Sequence, residues 1–165
     1  MKKRAAQIFI DMGFIIGIIF SLSVCVHAGP PENLGGWGID APYNQLYDAS
    51  ERDKIRGYVR DIKEVSPMPG MSPGVALVLD ESENEQTLVH ICPVWYMDQK
   101  SLGLRKGDKL KIKGVWAEIN GEDIFMAAKI KRGDFFVLKV RLTKDGMPFW
   151  VMPPDQLARE KAATE

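Results

Sequence analysis

Lys109, Lys111 and Lys113 occupy alternate positions of one short run, with Leu110 and Ile112 between them. Lys129 and Lys131 flank Ile130, and Lys139 and Arg141 flank Val140, in the same way. Alternate side chains of a strand share a face. If the three runs are neighbours, these seven cations line up outside one wall while the apolar residues point inward. Such a wall would attract phosphates or anionic lipid head groups, with an affinity that weakens as salt rises. The same pattern also serves as a solvated face that keeps strand edges unpaired. Trp95 and Tyr96 are adjacent, so one of the two rings is expected at the surface, where small barrels stack bases or sugars on aromatics. Trp116 alternates with Leu110 and Ile112 and reads as core unless the strand bends at Gly114. The candidate ligand-binding residues are therefore Lys109, Lys111, Lys113, Lys129, Lys131, Lys139, Arg141, Trp95 and Tyr96.

Softer chemistry is confined to His90-x-Cys92 and the loop methionines Met68 and Met71. Imidazole, thiolate and thioether together would suit copper. Methionines more often fill gaps, so the main expectation is no metal and no cofactor, with His90, Cys92, Met68 and Met71 as an alternative metal set. Catalysis finds no support. Gly-x-Ser-x-Gly, a phosphate loop and His-Glu-x-x-His are all missing. A nucleophile paired with His90 would depend on a histidine that reads as part of a core strand. The expectation is a protein that is not an enzyme.

The elements that would position these residues are short strands. Lys54 to Val65 reads as a strand with a bend or bulge at Gly57. Pro67 to Pro73 is a loop by its proline density. Strands follow at Val75–Leu79, Thr87–Ile91, Lys109–Glu118, Asp123–Ile130, Phe135–Leu142 and Phe149–Met152, with Asn120-Gly121 as a two-residue hairpin turn. Val94 to Leu102 does not alternate and reads as a short helix or turn. The order of three strands, a helical insert and two further strands is that of an OB-fold, a small Greek-key barrel. The fold class expected is all-β, an OB-fold-like barrel of five to seven strands with one short helix. An immunoglobulin-like sandwich has no place for the insert.

The ends are different material. Lys2, Lys3 and Arg4 precede a mostly apolar run from Ile8 to Val26, and Val26-His27-Ala28 presents small residues before Gly29. This is the pattern of a signal peptide and predicts a periplasmic or secreted protein. The membrane is then met only if that segment stays uncut. Residues 29–52 are rich in Gly and Pro, read either as an irregular arm docking its aromatics or as a flexible linker. Residues 53–151 form the barrel and 152–165 a polar tail. The whole chain carries 22 basic and 22 acidic side chains, which excludes a generally basic nucleic-acid coat. The balance is uneven along the chain, however: residues 53–151 hold 16 bases and 14 acids, so a mildly basic barrel carries acidic extensions.

Three stretches together carry a resemblance. Val89-His90-Ile91-Cys92-Pro93-Val94-Trp95-Tyr96 is followed by Lys106-Gly107-Asp108 opening the lysine-rich strand that runs to Gly114, and later by Gly146-Met147-Pro148-Phe149-Trp150. Over residues 54–151 this order resembles secreted bacterial OB-fold-like proteins labelled as DNA-binding or magnetosome-associated. More distantly it resembles the periplasmic bacterial OB-fold stress proteins. The chain departs from the pattern at Cys92, where glycine is usual, and by one extra residue between Val140-Arg141 and Gly146. The resemblance implies a fold and an export route. Taken with the residues, it gives a non-enzymatic binding or adaptor module, its basic wall facing an anionic ligand or an envelope protein. Nucleic acid is not expected in that compartment. The alternatives are a copper-binding protein and a structural envelope component with no small ligand.

Overall fold

A computed structural model describes residues 33–163. The signal-peptide reading of residues 1–28 lies outside them. Among the described residues no helix is long and apolar enough to cross a membrane.

Six strands follow one another: β1 Arg52–Val65, β2 Gly74–Ser82, β3 Glu85–Pro93, β4 Lys109–Ile119, β5 Glu122–Arg132 and β6 Phe136–Lys139. They form one sheet in the order β3-β2-β1-β4-β5-β6, and a parallel pairing of β3 with β5 joins its two sides. That closure makes a barrel and leaves β6 as a short extra strand on β5. Strand β1 is long enough to pair with β4 through its first half and β2 through its second. It changes register at a bulge between Val59 and Asp61. Gly57 precedes that bulge, and a Cβ there would collide with the carbonyl of Asp80, so only glycine lets the two strands approach this closely. This is an OB-fold strand order, as the sequence led one to expect.

The alternation of apolar residues is what closes the barrel on itself. Leu77 and Leu79, and Leu110 and Ile112, fall on alternate positions of their strands and are buried, as are Ile55, Val59, Val89, Phe125 and Ile130. Asn120 and Gly121 both have positive φ, at 54° and 78°, the geometry of the expected two-residue hairpin.

The structure decides two of the expected elements. Residues 94–102 are consecutive turns, not a helix. Asp98 accepts the Ser101 N–H at 2.8 Å, and Gly103 follows with a φ of 67°. A side-chain-capped turn and a left-handed residue break the run before a second helical turn can form. Phe149–Val151 is a 3₁₀ turn after the isolated bridge Arg141–Pro148, not a final strand. The described helices are short or peripheral: α1 Pro42–Gln45 in the arm and α2 Pro154–Ala162 in the tail, with no buried residue on α2.

The arm is part of the core. Trp37, Tyr43 and Tyr47 are buried and belong to the same hydrophobic cluster as the barrel strands. The Trp37 ring stands edge-on to Trp150 at 5.7 Å and to Tyr43 at 4.9 Å. Its indole N–H donates to Ser72 O, and its carbonyl accepts the Trp150 indole at 2.9 Å. The Pro/Gly-rich sequence of this arm does not prevent docking, because its aromatics find partners about the barrel and in the segment after β6.

Candidate functional site

The lysine wall is assembled from four strands. Register pairs Lys54 with Lys113 and Arg56 with Lys111 between β1 and β4. It pairs Lys111 with Lys131 and Lys113 with Lys129 between β4 and β5, and Lys129 with Lys139 between β5 and β6. Directly paired residues share a face. One row therefore reads Lys54, Lys113, Lys129, Lys139, and the next reads Arg56, Lys111, Lys131. Lys109 follows on β4, its Nζ 5.5 Å from the ring centre of exposed Tyr58. With strands about 4.8 Å apart and about 3.4 Å per residue along them, the patch measures roughly 14 by 13 Å.

Its charges feel one another. The Lys111 ammonium is held below its ordinary pKa by Arg56 first, then Lys54, with Lys131 and Lys113 adding to the effect. Lys129 is lowered by partial burial and by Lys131, Lys139 and Lys113. The ion pairs Arg60–Asp80, Arg132–Asp108, Lys144–Asp145 and Arg159–Asp155 all lie off this face. Like charges directly opposite each other across strands are destabilising, and this face holds five such pairs. A face serving solubility alone would interleave both signs.

Six of the candidate cations stand on this wall, and the structure adds Lys54 and Arg56. The alternation of β1 around Ile55 signalled both, but the apolar residues of that strand had drawn the reading. Arg141 does not join them. Strand β6 ends at Lys139, the alternation lapses, and Arg141 is 1% exposed beneath the arm. Trp95 and Tyr96 are half-buried, in the turns after β3, and of the wall's cations only Lys139 shares a cleft with Tyr96. Tyr96 packs on Trp150 at 6.0 Å, and burial pushes its hydroxyl up to about 12. Trp116 is not core: the alternation of β4 breaks at a bulge between Lys113 and Gly114, so Val115 is buried and Trp116 turns outward, edge-on to buried Phe125 at 5.1 Å. It is 39% exposed, its indole donating to Asp53.

The soft residues are each engaged elsewhere. Tyr43 and His90 share a hydrogen bond at His90 Nδ1 of 3.3 Å. Cys92 Sγ faces Met97 O at 3.6 Å, and burial raises its thiol to about 12, which keeps it protonated and unreactive. A bulge at Ile91 interrupts the register between the two. Met68 and Met71 pack against the hydrophobic core. Among the described residues no group of three or more His, Cys, Asp or Glu is placed to hold a metal.

His90 should nevertheless make stability pH-dependent. Burial, with Lys63 and Arg141 nearby, lowers its pKa from 6.5 to about 4. Between those values the unfolded chain binds the proton and the folded chain does not. Its contribution is therefore complete above pH 6.5 and is lost as pH falls toward 4. Each unit in that window costs at most about 1.4 kcal/mol. Replacing His90→Asn should flatten the thermal stability measured between pH 7 and 4; an unchanged slope would place the sensitivity elsewhere.

Comparison with known proteins adds three findings. The likeness to solved structures is distant. One match is a chain of the S. pombe Stn1–Ten1 complex, at 14% identity and a TM-score of 0.40, covering 49% of this chain and 57% of that one. Another is the S. cerevisiae mitochondrial single-stranded DNA binding protein Rim1, at 10% identity and a TM-score of 0.39, covering 56% of this chain and 96% of that one. No curated relative matches. A family model, by contrast, matches residues 51–137, from the residue before β1 into β6, and so takes in the barrel and every cation of the wall except Lys139: the chain belongs to the MamS/MamX magnetosome protein family.

Proposed function

We propose that this protein is a non-enzymatic binding module of the magnetosome, exported by its N-terminal segment, which uses the lysine wall to hold an extended anionic ligand or the acidic face of a protein partner. The observation that carries this reading is the five like-charge pairs across β1, β4, β5 and β6. The fold bears their mutual repulsion with no compensating carboxylate in either row, and an incoming polyanion relieves it. The cations of both rows are spread over four strands and most are exposed, which suits a surface or a polymer better than a small enclosed ligand. Family membership supports the setting, and the signal-like segment supports the route.

Two probes test it: linear inorganic polyphosphate and vesicles containing phosphatidylglycerol. Binding to at least one of them at 50 mM salt, weakened about 10²-fold at 200 mM, is expected if roughly five anionic groups are contacted. Equal affinity at both salt concentrations, or no binding to either probe, would overturn the reading.

A further inference from the structure

The wall leaves Arg141 unexplained. Its guanidinium is buried at 1% exposure, and a buried charge is stable only when its donors are satisfied and its charge is met. Its hydrogen-bond partners are neutral. Nη2 donates to Asn44 Oδ1 at 2.7 Å and Nη1 to the Gly146 carbonyl at 3.2 Å. The rings of Trp150, Tyr47 and Tyr43 lie 4.7, 5.2 and 6.0 Å from its Cζ. Asp145 is close by but engaged: one oxygen accepts the Met147 N–H at 3.0 Å and the other faces Lys144 Nζ at 3.9 Å.

A cleft of about 160 Å³ opens here between the arm and the segment after β6, lined by Asn44, Tyr47, Arg141, Asp145, Gly146 and Pro148 among others. Tyr47 brings a second signal. Its hydroxyl is buried and has no hydrogen-bond partner. Two residues that line this cleft thus have unmet donors, Arg141 with no carboxylate partner and Tyr47 with an orphaned hydroxyl. Guanidinium has five N–H groups in a planar fork that matches a carboxylate, and Asn44, Gly146 and the Tyr43 hydroxyl beside it do not use all five. The volume admits a group of a few heavy atoms and excludes a nucleotide. Asp145 on the rim disfavours a doubly charged phosphate relative to a monoanion.

We propose that this cleft is a carboxylate-binding site in which Arg141 and the Tyr47 hydroxyl donate to one carboxylate group. The group is either a small free carboxylate or the acidic side chain of a partner. The site is separate from the wall and does not depend on that reading.

The test is a ¹H–¹⁵N NMR titration of the indole N–H signals with acetate, at constant ionic strength, with acetamide as the neutral control. Trp150 sits on the guanidinium and should shift saturably with acetate and not with acetamide. Trp116, which does not line the cleft and whose indole is held by Asp53, should not move. Tyr47→Phe keeps the ring and should weaken acetate binding about tenfold. Asp145→Asn keeps the backbone-accepting oxygen and should tighten it at least about twofold. The Lys111→Glu, Lys113→Glu protein should respond like the parent. A blocked glutamyl peptide binding more tightly than acetate identifies a partner's side chain as the occupant, and equal affinity identifies a free carboxylate. A non-saturating shift, an equal response to acetamide, or unchanged affinity in both Tyr47→Phe and Asp145→Asn would overturn the site.

Discussion

Exchanging Lys111 and Lys113 together for glutamate is expected to abolish polyanion binding while leaving the barrel at least as stable as before. Each of these residues is central to its row. Lys111 lies between Arg56 and Lys131, and Lys113 lies between Lys54 and Lys129. Four repulsive cross-strand contacts become attractive ones. Both side chains are exposed, with their buried neighbours Leu110 and Ile112 untouched, so no packing is lost. The change removes four units of positive charge from the patch, which at about 1 kcal/mol per charge near an anionic surface corresponds to roughly a 10³-fold loss of affinity. Binding to polyphosphate or anionic vesicles and thermal unfolding, measured on the same preparation, check both halves. Most substitutions that destroy a function also destabilise or do nothing. A gain or no change in melting temperature with lost binding is the signature of a face whose repulsion serves a ligand. Retained binding would mean that the wall is only a solvated surface.

Removing Trp37 should produce the largest loss of stability in the protein. The side chain is 1% exposed, touches Tyr43 and Trp150, and donates to the Ser72 carbonyl. Gly74 lies against its ring so closely that a Cβ there would collide with it. Replacing a fully buried tryptophan by alanine costs about 3–5 kcal/mol, a large share of the about 5–15 kcal/mol that holds a domain folded. Trp37→Ala should lower the denaturant midpoint accordingly. The arm should also become the first site of protease cleavage, because Tyr43 loses the ring that seats it. A loss below about 1 kcal/mol would show that the barrel stands without its arm.

The barrel was legible because its strands announce themselves locally. Leu110 and Ile112 against Lys109, Lys111 and Lys113, and Asn120-Gly121 between two such runs, need no tertiary information to be read. The wall followed from the same alternation. Lys54 and Arg56 obey it too, but knowing that β1 lies beside β4 requires the topology. Arg141 was misplaced because alternation holds only while a strand lasts, and β6 stops at Lys139, after which a turn carries Arg141 inward to Asn44. The insert at 94–102 lacked alternation, which a helix and a series of turns share, and Asp98 capping Ser101 decided for turns. The arm was undecidable from its own residues. What orders Trp37 is Trp150, 113 positions away, and no local pattern of Gly and Pro reveals a partner at that distance. The carboxylate cleft is illegible for the same reason, being built from the arm and from the segment after β6.

The central claim, that the wall is a polyanion-binding face, is tested most directly by the salt dependence of affinity in the unmodified protein. Binding to linear polyphosphate measured from 50 to 300 mM salt should give a log–log slope of about −4, the release expected when roughly five anionic groups are neutralised together. A slope near zero would contradict it, because a face of eight cations cannot bind a polyanion without displacing its counterions.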